Sequence, residues 1–193
     1  MKIRKPIGVL FVFALVLAAC SSAAPATPIT VATISVTAAA AVGNRPAWQT
    51  MPFTDVRTNK MITLAGFAGK TVVVEAMAAW CTNCLAQQKR VAQALPQLTN
   101  KDQVVYISLG IDPSESPAQI LDIATHNNFD WTFSFSNKDL TNALIEQFGR
   151  TITNPTSTPS FFISPNGTFS TLHTGIHEPA ELLSLIQETA KAS

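Results

Sequence analysis

Two of the three cysteines in the chain, Cys81 and Cys84, sit directly behind an apolar run in the string VVVEAMAAWCTNCLAQQ. Thr71 to Ala76 is continuous and apolar apart from Glu75, the pattern of a central strand buried on both faces. Thr82 to about Leu98 carries Leu85, Val91, Ala92, Leu95 and Leu98 at helical spacing. The pair therefore falls where a buried strand turns into a helix N-terminus. Unpaired N–H groups and the positive end of the helix dipole favour an anion there and lower a thiol's pKa. Cys81 is expected to be the reactive thiolate. Cys84, three residues on along the same face, is placed to attack a mixed disulfide formed at Cys81. Trp80 reads as an apolar surface for a substrate peptide and, compatibly, as a large residue capping the core edge. A structural zinc site is the competing use of a C-x-x-C pair, but it needs four ligands and one other cysteine, Cys20, remains.

The N-terminus gives Cys20 a different use. Lys2, Arg4 and Lys5 precede an apolar stretch from Ile7 to Leu17, and Leu17-Ala18-Ala19-Cys20 follows, resembling a bacterial lipobox. Processing of that kind cleaves before Cys20 and attaches acyl chains to it, which gives stable membrane anchoring. An ordinary signal peptide cut near Ala19 and an uncleaved anchor are the other readings, although the apolar stretch is short for a spanning helix. Lipidation of Cys20 leaves one matched cysteine pair outside the cytoplasm, where disulfides persist.

Removal of residues 1–19 takes three of the thirteen basic groups and leaves ten against twelve acidic, so charge gives no case for nucleic acid. Residues 20–45 are rich in Ala, Thr, Ser, Pro and Val with no charge before Arg45, and read as a flexible tether. Residues 46–193 have the length of one domain. Within it, Trp48 to Asp55 and Lys60 to Thr63 read as a hairpin, and Gln103 to Gly110 as a second buried strand. Ser116 to Asn127 reads as a helix, Trp131 to Phe135 as a short strand, and Lys138 to Phe148 as a helix ended by Gly149. Ser160 to Ser164 and Thr168 to His173 flank the turn Pro165-Asn166-Gly167, and Glu178 to Ala190 closes the chain as a helix begun at Glu178-Pro179. The alternation predicts an α/β sheet with helices on both faces.

The W-C-x-x-C motif at Trp80 to Cys84, together with Thr158-Pro159-Ser160 downstream, resembles the thioredoxin superfamily, in particular its extracytoplasmic, membrane-tethered TlpA-like and ResA-like branch. The resemblance spans about Trp48 to Glu188. It implies a thioredoxin-like central mixed β-sheet flanked by helices, with an N-terminal β-hairpin and a helical insertion. The implied activity is thiol-disulfide exchange on protein thiols and disulfides, with a membrane electron donor or acceptor and reduction of a client such as apocytochrome c as the leading task. It implies no cofactor or metal beyond a redox-active Cys81–Cys84 disulfide. In that family the proline matching Pro159 is cis and faces the dithiol, and the backbone of the preceding residue, here Thr158, pairs with the substrate.

An acid among valines and alanines is costly unless paired or protonated. Glu75 lies six residues before Cys81, where thioredoxins carry a buried acid, and by that match it accepts the proton of Cys84 with its pKa raised by desolvation. The alternative has Glu75 at an exposed edge or paired with Lys70 or Lys89. Four positions depart from the family pattern: Lys89 stands where a helix proline is usual, Gln87 where ResA-like proteins place an acid, and Thr82-Asn83 fills the motif in place of the usual Gly-Pro or Pro-Pro. Two rival functions remain. Copper handling of the Sco type would recruit Cys81, Cys84 and a histidine from His173 and His177, whereas His126 reads as a residue complementing a helix C-terminus. A peroxiredoxin-like peroxidase would need a lone peroxidatic cysteine in P-x-x-x-T-x-x-C, which the residues before Cys81 do not supply.

Overall fold

The computed structural model describes residues 45–192; the leader, the lipidation candidate Cys20 and all of the tether but Arg45 lie outside the described residues. In chain order the elements are β1 (Phe53–Asp55), β2 (Lys60–Ile62), β3 (Thr71–Met77), α1 (Thr82–Ala94), β4 (Val104–Gly110), α2 (Pro117–His126), β5 (Thr132–Phe135), α3 (Lys138–Phe148), β6 (Ser160–Ile163) and α4 (Pro179–Lys191). They build one six-stranded sheet in the order β2-β1-β5-β4-β3-β6. Neighbours β3, β4 and β5 run parallel, whereas β6 is antiparallel to β3 and β1 is antiparallel to β2 and β5.

The apolar run of β3 explains its place between β4 and β6: all seven residues are buried, and successive side chains go to opposite faces. Val72, Val74 and Ala76 pack with Trp48, Phe53, Leu140, Leu144 and Phe161 on one face. Val73 and Met77 pack on the other with Cys84, Val91, Tyr106, Ile120, Leu182 and Ile186, which come from α1, β4, α2 and α4. Glu75 lies between Val73 and Met77 in the strand and so shares this second face. Each buried Val, Leu, Ile or Phe contributes about 1.5–3 kcal/mol. A lone ionised carboxylate costs several kcal/mol there, enough to offset two or three of them.

The layered α/β arrangement is the one expected, with local departures that have physical causes. Trp48 does not begin a strand. Residues Ala47–Thr50 form a 3-10 turn after Pro46, and the indole is enclosed edge-on by Phe148, Phe161 and Phe169. Helix α1 stops at Ala94 instead of Leu98, because Pro96 cannot continue it and Leu95–Gln97 tightens to 3-10. The arm after Pro165-Asn166-Gly167 returns but meets β6 only at isolated bridges, Ile163 with Phe169 and Ser160 with His173. Between them the Ser170 hydroxyl accepts the Phe162 N–H, so a side chain takes a ladder position. Gly167 holds φ +96°, and Arg45 lies 2.7 Å from where a Cβ would stand, so the turn demands glycine twice over.

Candidate active site

Cys81 is the N-cap of α1 and is bonded through its sulfur to Cys84, with Cα atoms 5.3 Å apart. The Cys84 N–H donates to Cys81 Sγ at 3.1 Å, filling the cap role that an Asp or Ser oxygen takes in other helices. The same donor is in place for a Cys81 thiolate once the disulfide is reduced.

The sulfurs are covered. Cys81 is 3% exposed and Cys84 0%, because the 3-10 turn Pro155–Ser157 lies across them. The Pro155 carbonyl oxygen stands 3.3 Å from Cys81 Sγ and 3.2 Å from Cys84 Sγ. Asn83, inside the motif, fastens the cover by donating from Nδ2 to the Thr156 carbonyl at 2.8 Å. A visiting thiol must displace this turn. Asn83→Ala removes one hydrogen bond, worth about 1 kcal/mol, and is expected to speed reduction of the disulfide by excess dithiothreitol several-fold. A rate equal to that of the unaltered protein would show that the turn does not limit access.

The structure corrects the expectation at Pro159. Among the described residues no peptide bond is cis. The chain instead bends at Thr158, which takes the left-handed conformation at φ 45° and ψ 54°. With that bend in place, a trans Pro159 presents its carbonyl to the Ala76 N–H at 2.9 Å and prolongs the β3–β6 pairing. The Thr158 N–H is also committed, donating to Pro155 O at 2.8 Å, so it is not free for a client strand while the cover is closed.

Trp80 is 56% exposed. Its indole N–H donates to Asp112 Oδ2 at 2.7 Å and fixes the ring at the mouth of a cavity of about 400 Å³ shared with Ile111, Pro113, Ile145 and Pro155. Hydrogen bonds from Ser114 and from Trp80 hold the Asp112 carboxyl below its usual pKa. An apolar wall with an ionised rim thus adjoins the dithiol.

Glu75 is wholly buried, and among the described residues its bonded partner is Tyr106, not Lys70 or Lys89. The Tyr106 hydroxyl donates to Oε2 at 2.9 Å, while Oε1 has no hydrogen-bond partner among the described residues. Burial raises the carboxyl's pKa to about 8, against the opposing effect of the tyrosine hydrogen bond. Tyr106 went unremarked in the sequence, although it is the only tyrosine and lies in an apolar strand where its hydroxyl needs a partner. Gln87, in α1, is buried, and its side-chain amide favours the ionised form of Tyr106, against the larger effects of burial and Glu75. The Pro155 cover carried no sequence signal.

Of the histidines, His177 meets this arrangement through its backbone, whose N–H donates to Gln87 Oε1 at 2.7 Å. His173 and His177 have ring centroids 5.9 Å apart, and His177 Nδ1 lies 3.1 Å from Glu181 Oε1. Among the described residues no group of three or more His, Cys, Asp and Glu side chains is placed to hold a metal ion, so the copper set of Cys81, Cys84 and a histidine is not assembled there. His126 ends α2 with Nδ1 at 2.8 Å from Asp122 Oδ1. The bonded pair Cys81–Cys84 also differs from the lone cysteine that a peroxidase of the peroxiredoxin type requires.

No protein-family model matches the sequence, and no curated protein matches it. Solved structures do. DsbF of MTB, in mixed oxidised and reduced forms, superposes with a TM-score of 0.57 at 14% identity over 76% of this chain and 100% of that one. A secreted Mycobacterium tuberculosis disulfide oxidoreductase homologous to E. coli DsbE gives 0.55 at 16% identity over 73% and 97%. The exposed lipoprotein thioredoxin of Streptococcus pneumoniae gives 0.54 at 19% identity over 72% and 98%. At these identities the likeness establishes the fold, which is thioredoxin-like.

Proposed function

We propose that this chain is an extracytoplasmic thiol-disulfide oxidoreductase, tethered to the membrane by a lipid on Cys20 and acting on protein disulfides. The observation that carries the reading is the Cys81–Cys84 disulfide at the start of α1, with the Cys84 N–H directed at Cys81 Sγ. The neighbours of the same fold described as secreted and as an exposed lipoprotein support the location.

In the reducing direction the Cys81 thiolate attacks a client disulfide. One client sulfur leaves as a thiolate, and the other is held in a mixed disulfide with Cys81. Cys84 then gives its proton to Glu75 and attacks Cys81 Sγ, which expels the second client thiolate. Two electrons have passed from the dithiol to the client, and the Cys81–Cys84 bond is restored. Trp80 and the cavity beside it receive the client's apolar side chain, and the Thr158-Pro159 segment borders the bound strand once the Pro155 cover has moved. A membrane donor or acceptor resets the pair, and apocytochrome c, which must be reduced before haem attachment, is the proposed client.

Reduced full-length protein is expected to reduce insulin disulfides, and Cys81→Ser to run at the background rate. Activity persisting in that variant would overturn the reading. Cys20→Ser is expected to move the protein from the membrane fraction to the soluble fraction of fractionated cells; retention at the membrane would remove the lipid anchor. Equilibration of the Cys81/Cys84 pair with glutathione fixes the direction of electron flow, since a low potential marks a reductant.

A further inference from the structure

We infer that Tyr106 is a positioning residue for proton transfer: its hydroxyl occupies Oε2 of Glu75 and leaves Oε1 as the atom that receives the Cys84 proton. This rests on the proposed role of Glu75 and specifies how that role is set up.

The hydrogen-bond inventory leads to it. Tyr106 has one hydroxyl hydrogen, and it is given to Glu75 Oε2 at 2.9 Å. The Gln87 amide also acts on Tyr106, favouring its oxygen as an acceptor. Gln87 Oε1 accepts the His177 backbone N–H at 2.7 Å, which leaves the amide NH₂ as the end that acts on the tyrosine oxygen. The tyrosine ring is packed edge-on against Trp131 with centroids 5.9 Å apart, which fixes the direction of the hydroxyl. Gln87 lies three residues beyond Cys84, on the same side of α1. Tyr106 thus joins β4 to the acid on β3, with Gln87 of the dithiol helix acting on it from α1. Glu75 Oε1 is buried on that same face without a hydrogen-bond partner among the described residues. A buried carboxylate oxygen left unpaired is unfavourable, and a proton relieves it.

The surroundings of Glu75 leave few other groups to set its protonation. Strand β4 contributes Tyr106 and Ser108, strand β6 contributes Ser160 across from it, and α1 contributes Cys84, Gln87 and the buried Gln88. Helix α4 contributes Leu182 and Ile186, and the segment before it brings His177, whose ring is paired with Glu181. Tyr106 is held neutral by burial and by Glu75, so it remains a donor across the working range.

The test follows the Glu75 carboxyl by carbon-13 NMR in the reduced full-length protein, alongside the pH profile of single-turnover oxidation by a peptide disulfide. Removing the hydroxyl in Tyr106→Phe withdraws the one hydrogen bond that favours the carboxylate among the described residues. The titration and the rising limb of the profile are then expected to shift together to higher pH by about one unit, a tenfold lower rate on the low-pH side. Gln87→Leu is expected to shift both in the same direction by less, since the tyrosine becomes a weaker donor. Glu75→Gln is expected to abolish the limb. If Glu75→Gln flattens the profile while Tyr106→Phe reproduces the unaltered curve, Tyr106 has no such role although Glu75 keeps its own. If Glu75→Gln leaves the profile unchanged, the role of Glu75 falls first. Should Tyr106→Phe fail to fold, an unshifted titration in Gln87→Leu overturns the inference.

Discussion

Replacing Cys84 by serine is expected to turn exchange into capture. Cys81 keeps its place at the cap of α1, so the first attack on a client still occurs. What disappears is the sulfur that is within bonding distance of Cys81 Sγ. An attacking group held at that range acts at an effective concentration far above any thiol in solution, and its loss is expected to slow resolution by at least about a thousandfold. Mixed disulfides through Cys81 are then expected to accumulate in cells, visible as bands that collapse on reduction and absent from Cys81→Ser. Mass spectrometry of those bands names the client. A captured set without c-type apocytochromes would remove that client from the proposal, and a Cys84→Ser protein that captures nothing would remove turnover itself.

The parts of this arrangement that were legible in the sequence are those with a local cause. The apolar run of β3 has the pattern of a central strand, and the C-x-x-C directly after it, followed by helical spacing, falls at the start of a helix. Gly149 and the Pro165-Asn166-Gly167 turn announced themselves by backbone requirements that few residues meet. The parts not legible depend on contacts far apart in the chain. The Pro155 carbonyl reaches sulfurs more than seventy residues away. The bend at Thr158 looked like a matter of proline isomerism and is achieved by a positive φ, which a threonine gives no hint of adopting. Glu75 was identifiable as an anomaly because a carboxyl among valines demands an explanation, whereas Tyr106 was hidden by being an ordinary strand former. Its partner became evident only when β4 was set beside β3 in a register that faces both inward.

That buried carboxyl has a consequence for stability as large as its consequence for chemistry. In the folded protein Glu75 keeps its proton up to about pH 8, whereas an exposed glutamate loses it near pH 4.5. Between these values the unfolded chain has released a proton that the folded chain retains, so unfolding becomes more favourable as pH rises. The contribution is fully present below about pH 4.5 and is lost progressively until about pH 8, after which it levels off. At 1.36 kcal/mol for each unit, the whole span amounts to roughly 4–5 kcal/mol, a large fraction of the stability of a domain this size. Glu75→Gln cannot ionise. Urea unfolding of the oxidised proteins is expected to give free energies for the two that keep a constant difference below pH 4.5 and diverge in favour of Glu75→Gln up to about pH 8. Parallel curves across the whole range would mean that the folded protein holds this carboxyl no more tightly protonated than water does, and the proton acceptor would have to be sought elsewhere. Divergence, together with slower exchange in the same variant, would show that the stability forgone at neutral and alkaline pH is what keeps a base within reach of Cys84.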